Sequence, residues 1–243
     1  GLKGGAGRLA ARGAAVSGAG AVTFFTPVSS AEFAAASFDA VMVRALKDLD
    51  VLQEALDGHV SAVVIGPGMG HSAFAKDLLR LVLESKLPAV LDADALTLHE
   101  AQPDTLFEML HGDCVLTPHE GEFKRLFGEL EGSKLSRAEK AAGTAGAVVL
   151  LKGSTTVIAG GELSVLNTTG SPALATAGSG DTLAGLIGGF QAQGLDAASA
   201  ASAGAYVHGL AGFSGGPSLT ADELPWRIAD TLNSILDSAR SAR

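Results

Sequence analysis

Asn167-Thr168-Thr169-Gly170-Ser171-Pro172-Ala173-Leu174-Ala175-Thr176-Ala177-Gly178-Ser179-Gly180-Asp181-Thr182-Leu183-Ala184-Gly185 is the stretch on which the reading of the chain turns. It leaves an apolar, strand-like run, crosses a loop rich in glycine and threonine, and enters a pattern with Leu183, Leu186, Ile187 and Phe190 at helical spacing. Small residues ahead of a helix leave its first N–H groups bare and let a polyanion approach the backbone. The positive end of the helix dipole adds to that attraction. The amides of Ala177, Gly178, Ser179 and Gly180 therefore form a candidate phosphate cradle. A carboxylate in the same place would repel a bound phosphate, so Asp181 reads as a group placed for proton transfer. Taken alone, Gly-x-Gly-Asp also reads as a helix cap after a glycine turn.

Working outward, residues 155–159 and 162–166 flank Gly160-Gly161 and read as a β-hairpin that delivers the chain to this loop. Upstream lie four apolar runs, at residues 60–65, 88–92, 114–117 and 147–151. They lack polar alternation, as strands buried on both faces do. Helical patterns at 72–85 and 119–127 separate them, which predicts an α/β fold with a mostly parallel, doubly wound sheet. Such sheets bind ligands beyond the C-terminal ends of their strands, and that is where each glycine-rich or charged motif falls. Ahead of them stand a glycine-rich opening from Gly1 with Lys3, a small-residue helix at 6–17 and an apolar run at 21–25. Helices at 182–193, at 197–212 and within 221–238 follow the central loop. Ser136-Arg137-Ala138-Glu139 and Thr220-Ala221-Asp222-Glu223 fit capping boxes and carry no catalytic weight. Without a repeat or a linker, residues 1–243 read as one domain.

Length and composition agree. The 243 residues suffice for one large α/β domain and are short for two. With 47% hydrophobic and 18% charged residues the chain is globular. Thirty-two glycines and only 5% aromatics allow close helix–sheet packing. A net charge of −9 argues against nucleic acid as a partner and means that a nucleotide must be held by local devices. Cys114, the single cysteine, excludes an internal disulfide, fits a reducing cytoplasm and reads as a small core residue. No apolar run reaches the roughly 18 residues that span a bilayer. No basic-then-apolar leader is read at the start, so a cytoplasmic protein without a membrane partner is expected.

Phosphoryl chemistry needs a base, a cradle for the transferred group and, as a rule, a divalent metal. Asp181 is the base candidate. Lys152, in Leu151-Lys152-Gly153-Ser154-Thr155-Thr156, supplies positive charge at a strand end, and Gly153 permits close approach. His119-Glu120-Gly121-Glu122 lies past another strand, where His119 reads either as a ligand contact or as a helix cap; Mg²⁺ prefers oxygen to its imidazole. Glu120 and Glu122 are also first-turn acids that the helix dipole favours. Asp94 reads as a helix cap and Asp92 as a group able to orient a phosphate-bound metal through water.

Five blocks in order carry a resemblance. They are Gly66-Pro67-Gly68-Met69-Gly70, Leu91-Asp92-Ala93-Asp94-Ala95-Leu96, Leu116-Thr117-Pro118-His119-Glu120-Gly121-Glu122-Phe123, Leu151-Lys152-Gly153-Ser154-Thr155-Thr156, and the central loop with Gly178-Ser179-Gly180-Asp181. Together they resemble the ADP/ATP-dependent NAD(P)H-hydrate dehydratases of the ribokinase-like superfamily, over nearly the whole chain. The resemblance implies a lyase that restores NADH or NADPH from the hydrated form, with ADP or ATP as phosphoryl donor and Mg²⁺ carried by the nucleotide rather than by a protein metal site. Asp181 would take the proton of the ring hydroxyl, which would accept the terminal phosphoryl group before phosphate is eliminated. Ala6, Gly68, Gly70, His119 and Asp181 would contact the dinucleotide. Lys152, Gly153, Ser154, Thr155 and Thr156, with Ala177, Gly178, Ser179 and Gly180, would hold the nucleotide. The two ligands are expected on different walls of one cleft, over the turn at 178–181.

The resemblance further implies a homo-oligomer, a tetramer, and a fused or partner epimerase domain. The chain opens at a glycine loop without the strand that precedes it in the family, as in a trimmed chain or the second half of a longer one. Ser171 stands where the family carries Asn in a Gly-Asn-Pro turn, and its hydroxyl is expected to keep the turn. The runner-up is a small-alcohol kinase of the thiazole or pyridoxal type, which stops at the phosphate ester. Superfamily kinases carry Asn where His119 stands, which favours the dehydratase. A non-catalytic nucleotide sensor is the third reading, and an intact Gly178-Ser179-Gly180-Asp181 argues against it.

Overall fold

Strands buried on both faces need helices on both, and the computed structural model, which describes residues 4–241, shows how they are supplied. Gly1 and Lys3 of the glycine-rich opening lie outside the described residues. The elements run α1 (Gly4–Val16), β1 (Thr23–Pro27), α2 (Val28–Ala35), β2 (Met42–Leu46), α3 (Leu49–Leu56), β3 (Val63–Ile65) and α4 (Ala73–Glu84). Then come β4 (Ala89–Leu91), α5 (Asp94–Thr97), α6 (Asp104–Phe107), β5 (Cys114–Leu116), α7 (Glu120–Phe127), α8 (Lys134–Ala145) and β6 (Val148–Leu151). The last part holds β7 (Thr156–Ala159), β8 (Val165–Asn167), a 3-10 turn at Pro172–Leu174, α9 (Ser179–Ala192), α10 (Ala197–Gly215) and α11 (Leu224–Ser241).

Six strands form the main sheet in the order β3-β4-β5-β6-β7-β8. The first four are parallel, and β7 and β8 run antiparallel to their neighbours. Because the parallel strands advance in one direction, their right-handed crossovers put α4 to α8 on one face. Leu91, Leu116, Val149, Leu151 and Val157 point to that face. Val90, Val115, Val148, Leu150 and Ile158 point to the other, where α9, α10 and α11 cover them. Helix α1 lies on α9 at short range: a Cβ at Gly13 or Gly185 would overlap the facing backbone. The abundance of glycine and alanine serves that approach.

Three local expectations are corrected. The hairpin has no two-residue turn; Ile158 pairs with Val165, and residues 160–164 form the connection between β7 and β8. Gly160 is required there on two counts: a side chain would press on the Ala147 carbonyl, and the backbone is left-handed (φ +113°). The cap of α8 is Ser133, whose Oγ accepts from Ser136 N at 3.2 Å; Ser136 is inside the helix and Glu139 instead accepts from Ser164. The sequence reading passed over β2, which pairs in parallel with β1 as a separate two-stranded sheet. Arg44 interrupts its apolar pattern. Glu223 does accept from Thr220 N at 3.1 Å, one half of the expected capping box. No helix among the described residues is long and apolar enough to cross a membrane.

Candidate active site

The C-terminal ends of β3, β4, β5 and β6 converge with the start of α9. Gly178 enters α9 at φ +97°, a conformation that costs other residues energy, and no side chain among the described residues caps the helix. The first-turn N–H groups of Gly180 and Asp181 therefore have no intrahelical acceptor. Lys152, at the end of β6, reaches across the end of β5 to Asp92 at the end of β4, with Nζ 2.8 Å from Oδ1. Asp92 is 2% exposed and Lys152 21% by side chain. Burial works against the charge on Lys152, but Asp92, with Glu122 and Asp181 beyond it, raises its pKa above the ordinary lysine value. A Cβ at Gly180 would lie 3.2 Å from Lys152 Nζ, so the cation sits directly against the turn.

Asp181 lies one residue beyond that contact. Burial and the Asp92 charge push its pKa up to about 6, Asp94 and Glu122 adding to the rise and Lys152 opposing it. A carboxyl group in that range holds and releases a proton near neutral pH, as a general base must.

The remaining expected residues are brought to the same edge. Ala6 lies in the first turn of α1, half-buried; a Cβ on its neighbour Gly7 would lie 3.3 Å from the Pro67 carbonyl, so this turn abuts the loop that holds Gly68 and Gly70. Gly70 N–H donates to Asp94 Oδ2 at 2.8 Å, and Asp94 Oδ1 is 3.4 Å from His71 Nε2. Asp94 is thus not the helix cap that the sequence suggested but an anchor for the glycine loop; Ala93, at φ +49°, holds the cap position of α5. His119 caps α7 and its ring remains 55% exposed. Nδ1 accepts from Gly121 N and Glu122 N, at 2.9 and 3.2 Å. Glu122 Oε2 accepts from His119 N at 2.9 Å, completing a capping box. Ser171 Oγ accepts from Ala173 N at 3.3 Å, so serine keeps the turn as expected.

Gly153 and Ser154 are exposed, Thr155 and Thr156 half-buried, and Gly170 stands close to the Ser154 carbonyl. Ala177 is exposed just before the turn and Ser179 is buried within it. The loops of His119 and Lys152 are neighbours, joined by Lys152 N to Pro118 O at 2.9 Å. They do not form separate walls. The positive charge that Lys152 was expected to supply at a strand end is paired with a carboxylate sixty positions away.

Two further residues matter that the sequence reading missed. Lys134, at the start of α8, donates to the Lys152 and Thr155 carbonyls at 3.0 and 2.8 Å and so braces the loop between them. Burial lowers its pKa, against the pull of Glu120. His208 on α10 is 7% exposed, with Nε2 2.9 Å from the Ser179 carbonyl oxygen. Its only sequence signal is an imidazole in the Ala- and Gly-rich run from Ala197 to Gly212.

Comparison with known proteins bears on this geometry. A sequence profile described as NAD(P)H-hydrate dehydratase matches residues 2–232. The bifunctional NAD(P)H-hydrate repair enzyme of Moorella thermoacetica is 41% identical over 220 residues, covering 84% of this chain and 41% of its own. This chain spans about two fifths of the length of the curated relatives it matches. A ribokinase-like superfamily protein of Enterococcus faecalis superposes with a TM-score of 0.86 at 27% identity, over 95% of this chain and 83% of its own. The ADP/ATP-dependent NAD(P)H-hydrate dehydratase of Bacillus subtilis, co-crystallised with ATP/Mg²⁺, gives 0.78 at 28% identity, over 96% and 85%.

Proposed function

This chain belongs to the NAD(P)H-hydrate dehydratase family and has the ribokinase-like fold, and from that premise we propose that it is an ADP-dependent (S)-NAD(P)H-hydrate dehydratase. The reaction converts hydrated NADH or NADPH to the reduced dinucleotide, releasing phosphate with AMP from ADP, or with ADP from ATP. One observation carries the reading: Asp181, with a pKa raised to about 6, lies in an uncapped first turn against the Lys152 cation. Asp181 takes the proton of the ring hydroxyl. The nucleotide, when bound, supplies the phosphoryl group that makes that hydroxyl a leaving group.

The residues present fit such a donor. The amides of Ala177, Gly178 and Gly180 offer hydrogen bonds, that of Ser179 being taken by the Thr176 carbonyl; Lys152 offers charge, and the absence of a side chain at Gly180 leaves the turn open to both. Gly153 to Thr156 continue the same surface. Asp92, Glu122 and Asp181 place negative charge around the Lys152 ammonium, and Asp94 adds to it at Asp181; the Mg²⁺ of this proposal arrives with the phosphates, held by their oxygens. Ala6, Gly68, Gly70 and the exposed ring of His119 form the side assigned to the dinucleotide. Residues 1–243 act as a single domain in this proposal, in the cytoplasm, where buried Cys114 stays a thiol with its pKa pushed up to about 11. Association of copies, a tetramer by resemblance, is supported by exposed Phe33, Phe213 and Trp226. An epimerase domain, fused or separate, is supported by the bifunctional names of the longer relatives.

The test mixes the protein with hydrated NADH and ADP, or ATP, and follows the absorbance of the reduced nicotinamide. Its return, with one phosphate released per NADH, is expected. Accumulation of a stable phosphate ester would replace the reading with that of a kinase.

A further inference from the structure

The chemistry above uses no residue of α10, yet α10 holds the loop that carries the anion turn along most of its length. Asn167 Nδ2 donates to the Ala205 carbonyl at 3.0 Å, and Thr169 Oγ1 to the Tyr206 carbonyl at 3.1 Å. Gly209 is so close to Thr169 that a side chain there would overlap the threonine hydroxyl, and Gly212 stands likewise against Leu174. At the end of the loop Ser179 Oγ donates to the Leu174 carbonyl at 2.6 Å. His208 completes the series at the Ser179 carbonyl. A carbonyl only accepts, so the proton of the neutral ring resides on Nε2. Burial keeps the ring neutral, its pKa pushed down to about 4 against the pull of the Ser179 bond, with Lys152 depressing it further.

A hydrophobic side chain of similar size would fill this buried space with no polar atom to satisfy. What imidazole adds is a fixed N–H at the first residue of α9. Ser179 precedes Gly180, which touches Lys152, and lies two residues before Asp181. A carbonyl held from α10 therefore sets where the turn meets the Lys152–Asp92 pair.

We propose that His208 is a positioning residue for the dehydration: by holding the Ser179 carbonyl it fixes the first turn of α9, and so the Asp181 carboxylate and its neighbouring amides, relative to Lys152. The inference rests on the dehydratase reading of the site. A displacement of about 1 Å at a reacting group costs on the order of 10²-fold in rate, so a small slackening of the turn is kinetically visible.

The experiment compares His208→Phe, which keeps bulk, with His208→Gln, whose amide nitrogen reaches about as far as Nε2. His208→Phe should lower kcat by roughly 10- to 100-fold, and KM for hydrated NADH should stay within about threefold. The acidic limb of kcat/KM, set by Asp181 amid Asp92, Asp94, Glu122 and Lys152, should move to higher pH as the Lys152 contact loosens. His208→Gln should restore both. If His208→Phe is insoluble, His208→Asn, too short to reach the carbonyl, should give the same kinetic signature in folded protein. Wild-type kcat and limb position in His208→Phe or His208→Asn overturn the proposal, as does an equal loss in His208→Gln. A wild type that fails to restore NADH overturns the dehydratase reading instead. The clasp is then read from ADP affinity, which His208→Phe should lower about tenfold; unchanged affinity rejects it.

Discussion

Helices α7 and α9 start at the same edge of the sheet, each with a carboxylate in its first turn, and they treat their bare N–H groups in opposite ways. At α7 the donors are consumed at home. His119 Nδ1 accepts two of them, and Glu122 reaches back to the His119 amide. At α9 the cap position is Gly178, which has no side chain to offer, and Asp181 takes no part in a cap. An anion therefore finds free donors at α9, whereas at α7 those of Gly121 and Glu122 are taken. The same contrast sorts the carboxylates. Glu122 is tied into its capping box, whereas Asp181 joins no cap, and burial with the charge of Asp92 raises its pKa from 3.8 to about 6. A helix start becomes a reaction site where the chain declines to cap it.

The largest expected effect breaks the α9 side of that contrast. Asp181→Asn should cut kcat by about 10²- to 10⁴-fold while leaving fold and nucleotide binding intact. A loss below about tenfold would reject the base role. In the unaltered enzyme kcat/KM should rise with pH through about 6, where free Asp181 loses its proton. Stability should move the other way. With its pKa raised from 3.8 to about 6, Asp181 binds more proton in the folded than in the unfolded chain across that window. Stability thus falls as pH rises through it. Asp181→Asn should raise Tm at pH 7, and the gain should vanish below about pH 4. Thermal melts at both values check the sign.

The next effect tests the buried cation set against the first turn of α9. Lys152→Met leaves Asp92 buried without its cation and should destabilise the fold by about 3–5 kcal/mol in urea titration. Adding Asp92→Leu should return most of that stability, because a buried pair replaced by apolar side chains is often neutral. Nucleotide affinity should stay low in the double variant, and affinity for the hydrated dinucleotide should change less. Equal weakening of both, by calorimetry, would deny Lys152 its assignment to the nucleotide.

How much of this could be read beforehand follows from sequence distance. Strand ends and the loops after them were legible, because a strand buried on both faces is a short apolar run and the next glycine or proline marks its end. The turn at Gly178 was legible for the same local reason, and so was Asp181. The Lys152–Asp92 pair was not: the two residues belong to strands separated in the sheet by β5, and periodicity says nothing about which strands lie side by side. His208 was hidden differently. Its helix is alanine- and glycine-rich on its buried side and carries Tyr206 and Phe213 on its exposed side, so no polar stripe marks an inward-facing imidazole. Asp94 looked like a cap because it opens α5, and only the fold of the loop at 66–70 shows that its oxygen is taken by Gly70.

The smallest effect concerns α7 and asks whether His119 does anything beyond capping. His119→Ala removes the acceptor for two amides and should cost about 1 kcal/mol of stability. His119→Asn should recover it, since asparagine caps as well as any residue. The ring, however, is 55% exposed at the site edge, with Nε2 3.6 Å from Glu122 Oε2 and Nδ1 occupied by the cap. Nε2 is thus the atom available to a ligand, and asparagine, which ends sooner, does not reach where it stands. In His119→Asn the KM for hydrated NADH should stay raised up to about tenfold, the scale of one hydrogen bond, while the KM for ADP is unchanged. Recovery of both stability and KM by asparagine would make His119 a cap and nothing more. The dinucleotide would then be held at this edge by Ala6, Gly68 and Gly70 without α7, and all of the ligand chemistry would belong to the helix that is left uncapped.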